Sequence, residues 1–356
     1  MKNLLTFLVT ALMVLIAMVS VGAALAETPA QGDSEPAPYP RPYAERTEVL
    51  DYARWLAREH NFEEAELISL FAQAQQRQDI IERISRPAEK VWTWARYKNL
   101  LVDEPRIKLG VAFWETHAAT LQRAAEVYGV APEYVLAILG IETRFGERRG
   151  DFPVLDALFT LGFDYPPRAD FFRSELTQFL LLAREEQKDP LSLSGSYAGA
   201  MGYGQFISSS YRHYAVDFDG DGVRDIWDNP VDAIGSIANY FAQHRWRGGQ
   251  VAVQGQVAEG QQQAVDALTT RGLALKRTVG EIRQAGLQIE PQVSVADDAK
   301  AALYKMEGNA GTEYWLALHD FYVITRYNRS QLYALAVYHL AEAIKQEIQP
   351  AAAAAG

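Results

Sequence analysis

Pro132-Glu133-Tyr134-Val135-Leu136-Ala137-Ile138-Leu139-Gly140-Ile141-Glu142-Thr143-Arg144-Phe145-Gly146 joins a helix start, an apolar stripe and a single acid. Proline suits the first helical position, where its missing N–H would be unbonded anyway. From Val135 the apolar side chains recur at Ile138 and Leu139, and Glu142 takes the next place of the same spacing. A carboxyl group on such a stripe loses hydration when charged, so its pKa should rise toward the value that a general acid needs near neutral pH. Spacing alone leaves a second reading, in which Glu142 sits in the last turn and is satisfied by Arg144 or solvent.

Upstream of this segment, residues 47–130 read as a helical domain. Asn61 and Glu64 resemble a capping box, followed by Leu67, Phe71 and Ala74. Trp114, His117, Leu121, Ala125 and Tyr128 form a later stripe that Gly129 should stop, with His117 a core or boundary residue. Downstream, a second helical block covers about residues 131–247 and helix returns at about 331–348, with Leu332, Leu335, Ala336, Leu340 and Ile344 on one face, so that 131–249 and 311–348 read as one core. Between them, residues 250–310 change period: Val251, Val253 and Val257, then Leu273/Leu275, Leu287/Ile289 and Val293/Val295 alternate between glycines and prolines. The expectation is an α+β, mainly α fold with a small antiparallel β insert.

The N-terminal end reads differently. Residues 1–26 carry Lys2, an apolar run from Leu4 to Val21 and Ala24-Leu25-Ala26, which reads as a signal peptide; an uncleaved membrane anchor is the alternative. Residues 27–46 hold five prolines and read as a flexible linker. The 356-residue chain has no cysteine, which excludes disulfides, thiolate metal sites and a lipoprotein anchor. A net charge of −11 argues against nucleic acid as a partner. The location expected is the periplasm, with no stable membrane span after cleavage.

Four segments sharpen the reading of Glu142. Ile141-Glu142-Thr143-Arg144-Phe145-Gly146, Tyr165-Pro166-Pro167-Arg168-Ala169-Asp170-Phe171-Phe172, Gly195-Ser196-Tyr197-Ala198-Gly199-Ala200-Met201-Gly202-Tyr203-Gly204-Gln205-Phe206 and Thr325-Arg326-Tyr327-Asn328 occur in this order. Together with Arg86-Pro87-Ala88-Glu89-Lys90 they resemble the lytic murein transglycosylase B family over about residues 85–344. The resemblance implies a lysozyme-like core acting on peptidoglycan between N-acetylmuramic acid and N-acetylglucosamine, with Glu142 as sole catalytic acid and base. Glu142 would protonate the glycosidic oxygen and then take the proton of the muramoyl C6 hydroxyl, whose oxygen attacks the anomeric carbon. A 1,6-anhydromuramoyl end forms and no water is consumed. Ser196, Gln205, Tyr240, Tyr327, Asn328, Tyr333 and Arg168 would line the sugar groove. The family often has two arginines where this chain has Pro167-Arg168.

Asp217-Phe218-Asp219-Gly220-Asp221-Gly222-Val223-Arg224-Asp225-Ile226-Trp227-Asp228 matches the twelve-residue calcium loop, with carboxylates at positions 1, 3, 5 and 12, glycine at 6 and a carbonyl at 7. Asp217, Asp219, Asp221, the Val223 carbonyl and Asp228 are the expected ligands of a structural Ca²⁺, with Asp225 direct or through water. Asp228 replaces the usual glutamate with a shorter arm.

Three functional readings follow: a lytic transglycosylase, a hydrolytic muramidase and a calcium-dependent glycan-binding module without catalysis. The muramidase would need a second carboxylate, for which Glu147, Asp151 and Asp156 are near in sequence. Gly199, Gly202 and Gly204 either let a glycan approach or build a tight turn. No organic cofactor is implied, and no His-Glu-x-x-His pair or Gly-x-Ser-x-Gly elbow occurs.

Overall fold

The computed structural model describes residues 42–85, 92–290 and 293–354. The signal segment 1–26, most of the linker 27–46 and the Arg86–Lys90 motif lie outside them. The last residues of that linker are packed: Tyr43 is buried, and Asp164 accepts hydrogen bonds from Tyr43 Oη and Arg46 Nη2, each at 2.5 Å.

Helices α1 (Thr47–His60), α2 (Glu64–Phe71) and α3 (Gln78–Ile84) begin the fold, and α4 (Trp94–Leu101) and α5 (Glu104–Tyr128) follow. Asn61 does not cap α2. It closes α1 in the left-handed conformation (φ 54°), a role asparagine tolerates better than most residues, and Glu63 is the residue before α2. Gly129 ends α5 as expected, with φ 68°. His117 is half-buried, 4.4 Å from the Phe113 ring, at a kink where its backbone leaves helical geometry.

Helix α6 (Pro132–Thr143) is buried from Tyr134 to Thr143 on every side, so it is a central core helix and not a one-striped surface helix. Around it lie α7 (Val154–Phe163), α8 (Ala169–Glu185), α9 (Ser208–Tyr214) and α10 (Pro230–Gln243), with a small pairing of β1 (Phe152–Pro153) and β2 (Ser194–Gly195).

The β insert is an antiparallel sheet in the order β4-β6-β7-β3-β5, made of β3 (Ala252–Val257), β4 (Arg277–Thr278), β5 (Leu287–Ile289), β6 (Lys300–Gly308) and β7 (Gly311–Ala317). Helices α11 (Gln262–Asp266) and α12 (Val279–Gln284) cover one face. The sheet passes the expected boundary at 310, since β7 lies between β6 and β3; the turn at Gly308–Gly311 is internal to the hairpin. Leu273/Leu275 and Val293/Val295 lie in loops, because their alternation finds no strand to pair with. Period two separates the sheet's faces. Val253, Leu303 and Leu316 join the insert's own core, whereas Tyr304 and Trp315 face the main core. Trp94 of α4 and Trp315 of β7 both donate to Glu313 Oε2, at 3.0 and 2.8 Å, tying the helices to the sheet.

Helices α13 (His319–Tyr327) and α14 (Gln331–Ala354) return to the core, with Leu335, Ala336, Leu340 and Ile344 fully buried. The helix is assigned through Ala354, into the alanine tail. Among the described residues, no single helix is long and apolar enough to cross a membrane.

Candidate active site

Glu142 occupies the last turn of α6, where the helix meets a bend: Arg144, Phe145 and Gly146 all have positive φ. The side chain is 2% exposed and lines a cleft of about 190 Å³. Tyr333, at the start of α14, donates its phenol proton to Glu142 Oε1 at 2.6 Å. Oε2 has no hydrogen-bond partner among the described residues. Burial pushes the carboxyl up to about 8, against the opposing pull of the Tyr333 hydrogen bond. Arg144 does not satisfy it, for that guanidinium pairs with Asp103 and Glu147. Because Oε1 already accepts from Tyr333, the acid proton belongs on Oε2.

The cleft also takes Arg168, Gln205, Tyr240, Tyr327 and Asn328. Tyr327 Oη donates to the Gly204 carbonyl and Tyr240 Oη to the Arg326 carbonyl, both at 2.6 Å, while the two rings lie 4.7 Å apart. Their orientation is therefore set by the protein. Gln205 has φ 50°, and its Nε2 donates to the carbonyls of Arg149 and Gly202, each at 3.0 Å. Both amide hydrogens are engaged, so the group it offers to the cleft is its oxygen. Arg168 lies over Phe171 at 4.3 Å, and burial lowers its pKa.

Two residues expected in the groove stand elsewhere. Ser196 is buried with its Oγ accepting from the backbone N–H groups of Ala198 and Ala200, at 3.3 and 3.0 Å, which makes it a turn residue that does not line the cleft. Tyr333 is also absent from the lining, and its hydroxyl serves Glu142. The glycines serve the turn as well. A Cβ on Gly202 (φ 70°) would fall 2.4 Å from the Ile226 carbonyl oxygen, and one on Gly204 would fall 2.8 Å from Tyr327 Oη.

Sequence reasoning missed Phe171, Phe172, Ser210, Arg326 and Arg329 as cleft residues. Several stand inside the quoted segments, but nothing in their spacing separates a cleft phenylalanine from a core one. It also missed Glu175, whose buried carboxylate accepts from Ser209 N at 2.9 Å and so holds the start of α9. Among the described residues, Glu142 is the only carboxylate that lines the cleft. Glu147 pairs with Arg144, Asp156 accepts from Gln75 N, and Asp151 is exposed.

In the aspartate loop, oxygens of Asp217, Asp219 and Asp221 lie within 4.8 Å of one another. Asp217 gathers the N–H groups of Gly220, Asp221 and Gly222, which hold its carboxyl below the usual range. Buried Asp232 closes the loop by accepting from Phe218 N and Asp225 N, at 2.7 and 2.8 Å. Asp228 does not join the cluster: its Oδ1 accepts from Arg149 Nη1 at 2.8 Å. Asp225 accepts from Trp227 N and Asp228 N.

The family described as Transglycosylase SLT domain matches residues 45–342. Membrane-bound lytic murein transglycosylase B of Escherichia coli (strain K12) is 41% identical over 312 residues, which is 85% of this chain and 84% of the relative. Soluble lytic transglycosylase SltB1 from Pseudomonas aeruginosa has a crystal structure that superposes with a TM-score of 0.81 at 48% identity, covering 85% of this chain and 99% of that one. The Escherichia coli lytic transglycosylase Slt35, solved in complex with calcium, gives 0.76 at 40% identity, covering 86% and 93%. The chain, with its mainly helical, lysozyme-like fold and small antiparallel sheet, therefore belongs to the lytic transglycosylases of the SLT-domain family.

Proposed function

We propose that the chain cleaves the glycan strand of peptidoglycan, between N-acetylmuramic acid and N-acetylglucosamine, with Glu142 as the one residue that gives and takes the proton. The observation that carries this reading is a buried carboxyl, pushed up to about 8 by burial, that is the one carboxyl lining the cleft among the described residues. Glu142 Oε2 gives its proton to the glycosidic oxygen as the bond to the anomeric carbon breaks. The carboxylate left behind is held by Tyr333 and removes the proton of the muramoyl C6 hydroxyl, whose oxygen closes on the same carbon. The acid is restored, a 1,6-anhydro ring forms and water is not used. A hydrolase would need a partner carboxylate about 5 to 9.5 Å away, and among the described residues no second carboxylate lines the cleft. Tyr240, Tyr327 and the apolar rims suit sugar faces, while the Gln205 oxygen and Arg168 supply polar contacts.

Mass spectrometry of digested sacculi should show anhydromuramoyl ends, lighter by one water than reducing ends; mainly reducing ends would point to the muramidase reading. Glu142→Gln, which keeps the shape and loses the transferable proton, should cut the rate by roughly 10²–10⁴-fold.

The same reading includes a structural Ca²⁺ held by Asp217, Asp219, Asp221 and the Val223 carbonyl, supported by the converging carboxylates and by the calcium complex of Slt35. The ion would supply charge compensation to the loop and take no part in bond cleavage. Asp228 would have to leave Arg149 to become a ligand. Placement in the periplasm follows from the apolar leader and the wall substrate.

A further inference from the structure

Beyond the cleft, α8 borders a second depression, of about 320 Å³, with Tyr52, Trp55 and His60 of α1 on one side and Ser174, Thr177 and Gln178 of α8 on the other. Trp55 is 38% exposed, the one aromatic among the large apolar side chains that face solvent in the described residues. Its ring stacks on Tyr52 at 5.9 Å and meets His60 edge-on at 5.0 Å, while Tyr52 Oη bonds Thr177 Oγ1 at 2.8 Å. The indole is thus oriented before any ligand arrives.

We propose that this depression is a distal subsite for a pyranose ring of the same glycan strand that lies in the cleft, an inference that rests on the peptidoglycan reading above. Continuity along α8 supports it. Phe171 lines the cleft, and Ser174 and Gln178 line the depression, at spacings of three and seven that share one helix face. At about 1.5 Å per residue, the subsite lies roughly 5–10 Å further along that face. Ser210 of α9 also lines the cleft, and two residues on Arg212 donates to Gln178 Oε1.

The local chemistry selects a neutral sugar over an anionic stem peptide. The Arg173 guanidinium donates to the Gly162 carbonyl and pairs with Asp170, and Arg212 pairs with Glu185. What remains is an aromatic face flanked by hydroxyl and amide groups, the combination that suits a pyranose.

The test uses the full chain carrying Glu142→Gln, titrated calorimetrically with amidase-stripped murein glycan strands, long ones and a tetrasaccharide. Long strands should bind about five- to tenfold more tightly than the tetrasaccharide. Adding Trp55→Ala should remove that advantage and leave tetrasaccharide binding unchanged, whereas Trp55→Phe should retain most of it. Ser174→Leu, at an exposed position, should fill the depression and act like Trp55→Ala without disturbing the core. A long-strand advantage that survives both Trp55→Ala and Ser174→Leu overturns the subsite while the cleft reading stands. So does a long strand that binds the Glu142→Gln chain no more tightly than the tetrasaccharide does. If the Glu142→Gln chain binds neither glycan, the peptidoglycan reading itself fails.

Discussion

In the proposed shuttle, Tyr333 and Glu142 divide the work of one proton between two residues. Burial and the neighbouring Glu142 hold the phenol well above its usual range, which favours its role as the donor. Replacing it with Phe removes the bond that favours the carboxylate, so the acid should become weaker still. Tyr333→Phe should therefore move the alkaline limb of kcat/KM upward by about one pH unit and lower kcat several-fold. Because the first step itself generates the carboxylate, Glu142 contributes one limb, a fall as pH rises through about 8, and no acidic one. A bell-shaped profile with a second carboxylate limb would contradict the single-residue shuttle.

The same carboxyl marks stability. Its folded value lies above its ordinary 4.5, so the folded protein keeps a proton that the unfolded chain gives up between 4.5 and about 8. Stability from the neutral acid is complete below this window and is lost as pH rises through it. Glu142→Gln should be indistinguishable from wild type at low pH and increasingly more stable toward pH 8, by on the order of a few kcal/mol. A Tm difference that stays flat with pH would show that the carboxyl is not neutral in the fold. The burial of this carboxyl was legible in sequence from the apolar residues that precede it. Its tether was not, because Tyr333 belongs to a different helix and a periodic pattern carries no record of which side chains meet across the core.

At the scale of elements, the aspartate loop is coupled to the cleft. The Ile226 carbonyl accepts from Tyr203 N at 3.0 Å, and Arg149, which donates to Trp227 and Asp228, accepts from Gln205. Loss of the proposed Ca²⁺ should therefore loosen the Gln205 turn as well as the loop. Asp219→Ala with Asp221→Ala should lower Tm in calcium to the value that wild type shows in chelator, and should raise KM more than it lowers kcat. An unchanged melting curve would count against the ion. The loop's helix–loop–helix setting and spacing were visible in sequence; the diversion of Asp228 to Arg149 was not, since it depends on a residue 79 positions away. Similarly, alternation identified β3 and β5 correctly but also flagged Leu273/Leu275 and Val293/Val295, because pairing partners and not period decide which extended segments become strands.

For the whole molecule, Glu313 joins the sheet to the helices through a single oxygen that accepts from two indoles. Glu313→Ala leaves both Trp94 and Trp315 N–H groups without it and should cost about 2–3 kcal/mol, read as a lower Tm. Activity at permissive temperature should survive, since Glu313 does not line the cleft.

The acid and the hydroxyl that holds it are 191 residues apart in the chain. A ribosome that has released everything up to residue 330 has made the buried acid but not its anchor. The surroundings of this acid are therefore complete only after the final helix docks, so the site assembles late in synthesis.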